Sequence, residues 1–163
     1  MRYQRTAVLN DSTQLYHFNK NFIMQPLSFE KTLLFQIGRL YCGPQTVIKP
    51  HAHINLFELT IVTGGRGVVI TNGVETPVER GDIYLSFPGD FHAITTDTDD
   101  PLKYDFCAFN STDPSFISEF EHIVENYMSE DRRVMRDEQI SMLVGCAIAE
   151  IDGDRLYSHR LLS

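Results

Sequence analysis

Between residues 31 and 109 short apolar stretches alternate with turn residues, at a spacing that suits strands and is too tight for helices. KTLLFQIGRLYC (31–42) and QTVIK (45–49) read as strands on either side of a Gly43-Pro44 turn. FELTIVT (57–63) runs into Gly64-Gly65-Arg66-Gly67, which reads as a hairpin turn, and RGVVITN (66–72) ends at Asn72-Gly73. That last pair is a strong hairpin signal, because both central positions of the turn need positive φ. VETPVE, DIYLSF and FHAITT follow, punctuated by Arg80-Gly81-Asp82 and Pro88-Gly89-Asp90. LKYDFCAF (102–109) comes after an acidic loop, Asp97 to Asp100, closed by Pro101. About eight strands at 8–12-residue spacing predict an antiparallel sandwich or barrel.

The period changes after Asn110. Asp113-Pro114-Ser115 has the capping side chain and first-turn proline of a helix start. Beyond it Phe116, Phe120, Ile123, Val124 and Tyr127 recur at helical spacing. A second helical stretch, 137–151, carries Ile140, Leu143, Val144, Ala147, Ile148 and Ile151 on one broad stripe. The division expected is a β-domain over 1–110, including an N-terminal arm, and a helical tail over 111–163 that packs on the β-domain or on a second subunit. Leu156, Tyr157, Leu161 and Leu162 read as part of a further helix, and a helix with no terminating residue suits a chain cut short of another domain.

Composition narrows the function classes. The chain has 163 residues, enough for one domain, and a formal charge of −8. An acidic surface repels phosphate backbones, so the chain by itself is a poor nucleic-acid binder. Arg132, Arg133 and Arg136 are interleaved with Asp131 and Asp137 and read as a solvated face. The N-terminus lacks the apolar core of a signal peptide, and three cysteines suit reduced thiols in a cytoplasm. Cys107 and Cys146 read as small core residues, since neither has the flanking base a nucleophile needs.

The chemistry concentrates in HAHINLFEL (51–59). His51 and His53 are two apart and share one face of a strand. Glu58 is five beyond His53, the wrong parity for one continuous strand, so a turn at Asn55 is expected, with Glu58 on the next antiparallel strand facing back. Thr60 and Val62 then share its face, and Leu59 and Ile61 take the other. His92, after Pro88-Gly89-Asp90, completes three imidazoles and a carboxylate. Such a set binds divalent first-row metals (Zn, Ni, Mn or Fe) and leaves positions open for water or substrate. The same residues also suit the polar lining of an organic-ligand pocket, and both readings stay open. Tyr41, Tyr84 and Tyr104 are candidate walls for it.

HAHINLFELTIVTGG resembles the first cupin motif, a His-x-His pair followed by Glu and then Gly, here Glu58 and Gly65. GDIYLSFPGDFH resembles the second, with His92 after Pro-Gly. Two positions depart from it: Thr96 stands where that motif ends in Asn, and Gly43 lies further than usual before the histidines. The resemblance implies a mainly β fold, a cupin double-stranded β-helix or jelly-roll-like barrel, with a C-terminal helical tail. Together with VERGDIYLSFPGDFHAI and the helical tail, the pattern is similar to the N-terminal effector-binding and dimerisation domain of AraC-type transcription regulators. That resemblance covers roughly residues 30–163. It implies a cytoplasmic homodimer, and an effector such as a sugar held by His51, His53, Glu58 and His92. It also implies a movable arm over residues 1–20, DNA contact only through a C-terminal helix-turn-helix domain absent from this chain, no membrane association and no catalysis. The alternative is a stand-alone metal-dependent cupin enzyme of isomerase or dioxygenase type.

Overall fold

The structure, a computed structural model, describes residues 14–127 and 133–153. The described residues form β1 (Gln14–Asn21), β2 (Leu27–Phe29), β3 (Thr32–Cys42), β4 (Val47–Ala52), β5 (Phe57–Gly64), β6 (Arg66–Thr71), β7 (Val74–Glu79), β8 (Ile83–Ser86), β9 (Phe91–Thr96) and β10 (Lys103–Ser111). These are followed by α1 (Pro114–Tyr127), β11 (Val134–Met135) and α2 (Glu138–Asp152). One sheet has the order β1-β3-β10-β5-β8-β11, with β2 also on β3, and the facing sheet has the order β4-β9-β6-β7.

Alternation along each strand decides what lies between the sheets. Val62 is paired with Tyr104, and Thr60 with Phe106. Val62, Tyr104, Phe106, Leu40 and Cys42 meet Val69, Val78 and Ile94 of the other sheet in one buried cluster. Glu58, Thr60 and Val62 therefore point inward, as their parity predicts, while Leu59 and Ile61 belong to the other face. That outer face is covered in part by α2, whose Ala147, Ile148 and Ile151 pack on Phe29, Leu34 and Ile37. Burying an Ile, Leu or Phe side chain in this way contributes about 1.5–3 kcal/mol. Asp137 caps α2 by accepting from the backbone N–H groups of Gln139 and Ile140.

Several expectations change. The stripe of α2 is narrower than its sequence implies: Leu143 is 59% exposed, and Cys146 is exposed rather than in the core. Arg133 is 7% exposed, not solvated, and Arg136 is bound to Asp82 and Glu79. Tyr41 lies between the inward-facing Leu40 and Cys42 and so faces outward, under the Lys103 ammonium, whereas Tyr84 and Tyr104 are interior. Residues 1–13 of the expected arm and the expected further helix after 153 lie outside the described residues; from Gln14 onward the arm is a strand paired with β3.

The turns divide into two kinds. Asn72-Gly73 is the expected two-residue hairpin, with φ of 50° and 88° and Thr71 paired with Val74. Gly64-Gly65 is not a hairpin: β5 and β6 belong to different sheets, and the chain turns a corner between them. Gly65 has φ +74°, and a Cβ there would lie 2.1 Å from the Pro101 carbonyl oxygen. Backbone against backbone leaves no flexible group to yield. Gly65→Ala should therefore lower unfolding stability in urea by about 2–5 kcal/mol, the sum of the left-handed backbone penalty and overpacking. A midpoint shift equivalent to less than about 0.5 kcal/mol, the scale of ordinary surface substitutions, would contradict this account of the corner.

Candidate metal site between the sheets

The four polar residues singled out in the sequence come together at one end of the sandwich. His51 on β4 lies directly opposite His92 on β9. Ile48 pairs with Ile94, three residues before His51 on β4 but only two after His92 on β9, so β4 carries an extra residue between Ile48 and His51. That bulge re-aims His51 inward after Ile48. Pro50 lies within it, on an edge strand where its missing N–H breaks no ladder. The chain bends after His53, and the Asn110 side-chain amide holds the bend by donating to the Asn55 carbonyl at 2.8 Å.

Glu58 arrives differently from expectation. β5 does not pair with β4; it lies in the facing sheet, so the carboxylate approaches the imidazoles across the interior rather than from a neighbouring strand. The ring centroids of His51 and His92 are 4.3 Å apart, those of His51 and His53 5.0 Å, and those of His53 and His92 5.5 Å. One ring nitrogen from each lies within 4.8 Å of the others. Glu58 Oε2 is 3.1 Å from His53 Nε2, and Oε1 is 3.6 Å from His92 Nε2. Neither contact is aligned as a hydrogen bond, and both buried nitrogens are otherwise without a partner.

The outer nitrogens are held. His51 Nδ1 is 2.8 Å from the Lys49 carbonyl, which can only accept, so Nδ1 carries a proton and the neutral ring leaves Nε2 with its lone pair. His92 Nδ1 is 3.0 Å from the Ser86 hydroxyl, itself fully buried. Deeper in, the Tyr84 and Thr71 hydroxyls share a hydrogen bond of 3.0 Å, and the buried Thr60 hydroxyl has no partner. Ser86 and Thr71 were not singled out from the sequence. Ser86 shares parity with Tyr84 in IYLS, but only the register Glu58↔Ser86 places it beside the site. The turn between β8 and β9 supports the same site, since the Gly89 N–H donates to the His53 carbonyl at 2.9 Å.

Burial alone would push the Glu58 carboxyl up; the contacts with His53 and His92 outweigh it and hold it down at about 2. The Glu58 contact pushes His53 up against the opposing effect of burial. Burial, the larger influence on His51, pushes that ring down. A carboxyl lowered from 4.5 to about 2 contributes stability that is present above pH 4.5 and lost as pH falls toward 2. In metal-free protein, Glu58→Gln should remove about 3 kcal/mol of the acid-dependent loss between pH 5 and pH 2. Parallel acid limbs for the two proteins in chemical unfolding would show that Glu58 is not held in this way.

Residues 39–109, which include all four of these side chains, match the Cupin_2 family, described as a cupin domain. Similar solved structures include the protein YhaK from Escherichia coli, with TM-score 0.50 and 14% identity over 58% of this chain and 44% of that one. KdgF from Halomonas sp. gives 0.47 and 12% over 65% and 87%, and a Cupin 2 conserved barrel domain protein from Salinispora arenicola gives 0.47 and 17% over 75% and 94%. No curated protein sequence matches the chain. Identities this low bear on fold alone. Two facing antiparallel sheets, together with the cupin-domain match over residues 39–109, establish that this chain has the cupin fold.

Proposed function

We propose that His51, His53 and His92, with Glu58, hold a divalent first-row metal (Zn, Ni, Mn or Fe), and that the domain uses it to bind a small oxygen-bearing effector. The observation that carries this reading is the convergence of three imidazoles, with the buried Nε2 atoms of His53 and His92 lacking hydrogen bonds and the outer nitrogens of His51 and His92 held. An unpartnered buried polar atom costs about 1–3 kcal/mol, and a metal would offset that cost at two positions at once. Outer-nitrogen bonds of this kind orient ligating imidazoles and fix their tautomer. When bound, the metal supplies a Lewis-acid centre for an oxygen ligand. The hydroxyls of Thr60, Thr71 and Tyr84 face the same interior and would hydrogen-bond a polyhydroxy compound such as a sugar.

The regulatory reading rests on the sequence resemblance to AraC-type effector domains, with two features in support. α2 packs on the outer face of the sheet that contributes Glu58, so a change in the sheet reaches a helix directly. Met142 and Leu143 are 62% and 59% exposed on α2, an apolar face suited to a homodimer. DNA contact would then belong to a helix-turn-helix domain outside this chain. A second reading, a metal-dependent isomerase or dioxygenase, is favoured by the same three-imidazole set, because a metal with open positions is also what turnover needs.

Protein produced with these metals present should carry about one equivalent per chain by elemental analysis, and a His51→Ala/His53→Ala variant less than about a tenth of that. Affinity should fall as pH drops below about 6, where protons compete for the imidazoles. A metal-free parent would end the coordination reading. A compound that raises the melting temperature of the loaded protein separates the other two: an effector is recovered unchanged after prolonged incubation, a substrate is consumed.

A further inference from the structure

Arg133 is a charge buried at a place the site does not obviously need. It is 7% exposed, its guanidinium lies 4.3 Å from the Phe87 ring centroid, and its Nη2 is 3.4 Å from both carboxylate oxygens of Asp90. Its Nε and Nη1 have no partner among the described residues. A half-used buried cation is costly, and an apolar residue of similar size would often stabilise the position better. Stability alone does not account for it.

Asp90 connects it to the imidazoles. Its Oδ2 accepts from the Phe87 N–H at 2.9 Å and its Oδ1 from the Asn72 side-chain amide at 3.0 Å. Asn72 in turn accepts from the Phe91 N–H and donates to the Phe91 carbonyl, fixing the residue before His92. The neighbouring Gly89 N–H holds the His53 carbonyl. One carboxylate thus organises the turn that grips His53 and starts the strand bearing His92. On its other side, the Arg133 carbonyl accepts from the Leu85 N–H at 3.0 Å, and the next two residues form β11, which leads directly to α2.

The distances leave room for movement. Nitrogens bound to one first-row metal at about 2.0–2.1 Å lie roughly 3.0–3.4 Å apart. Those of the three histidines lie within 4.8 Å of one another, so a metal held by all three would fix their separations and bear on the 87–90 turn. The Arg133–Asp90 contacts at 3.4 Å are longer than the roughly 2.7–2.9 Å of a close charge-assisted pair, and can shorten.

We propose that Arg133 and Asp90 are positioning residues that set the His53–His92 geometry from outside the sandwich and couple metal occupancy to the segment entering α2. The inference rests on the metal reading above and adds the route by which occupancy is felt. By linkage, what occupancy does to the Arg133 segment, that segment does to metal affinity.

The test is cobalt(II) titration of the whole chain, followed by calorimetry and the visible spectrum, with amide exchange over residues 133–140 measured with and without cobalt. Arg133→Gln and Asp90→Asn should each weaken cobalt binding about tenfold and alter its spectrum, and the double variant should be no weaker than either single one. Cobalt should slow exchange over 133–140 in the parent and not in Arg133→Gln. Should Arg133→Gln unfold, Arg133→Lys decides, because it keeps the charge but loses the planar fork and the stacking on Phe87. Affinity within twofold of the parent, with an unchanged spectrum and intact protection, would overturn the coupling and leave the metal site standing. A parent that binds no cobalt would overturn both.

Discussion

Glu58 brings an ionised carboxylate into the space between two sheets whose shared interior is otherwise largely apolar, with its side chain 12% exposed. A charge so placed costs several kcal/mol unless paired, and that requirement shapes its surroundings. His53 and His92 are the partners, His51 shares their space, and the backbone is bent, bulged and turned to deliver all three. The bulge at Pro50 turns His51 inward, the bend at Asn55 lets the chain cross to the facing sheet, and the Pro88-Gly89 turn holds His53 while starting the strand of His92. Without the carboxylate, three converging imidazoles would repel one another once protonated. Without the imidazoles, the carboxylate would ionise less readily. Neither half of the site is stable alone in its charged form.

The larger sheet serves two interiors. Its inner face meets the smaller sheet, and its outer face takes α2 and a bidentate Arg39–Asp105 pair at 2.7 and 2.8 Å, with Asp105 3% exposed. The irregularity between Ala108 and Phe109 on β10, opposite Gln36 and Leu34 on β3, lets Leu34 join Ile37 on the outer face despite their odd spacing. This is why side chains of β3 and β10 divide between the core between the sheets (Leu40, Phe106) and the interface with α2 (Ile37, Cys107). A small tilt of any of these strands is felt on both sides.

Much of this was legible in the residues, wherever the signal is local. The parity break between His53 and Glu58 placed a turn between them and put Thr60 and Val62 on the inner face; Asn72-Gly73 specified its hairpin; Asp113 marked a helix start. What could not be read is which strands share a sheet, since alternation within β5 or β6 is the same whether the next strand pairs with it or faces it. That is why Gly64-Gly65 looked like a hairpin and Glu58 like a neighbour of β4. Burial of Arg133 was hidden for the same reason, because its partners Asp90 and Phe87 lie more than forty residues earlier in the chain. On α2, periodicity gave the direction of the apolar stripe but not its width. Leu143 and Cys146 lie beyond the edge of what β3 can cover.

The placing of His51 and His92 on paired strands, with Glu58 in the facing sheet, has a consequence for the order in which the molecule is made. Hairpins such as β6–β7 close over two residues and form early on the scale of microseconds. The imidazole–carboxylate cluster has no such local precursor: it needs β4 laid on β9 and the two sheets brought face to face, contacts whose loop-closure entropy must be met first. An ion held there as proposed would have little to bind in the partly folded chain, and would act on the finished molecule by mass action rather than template the fold. The site is a seal on a completed sandwich, not its seed.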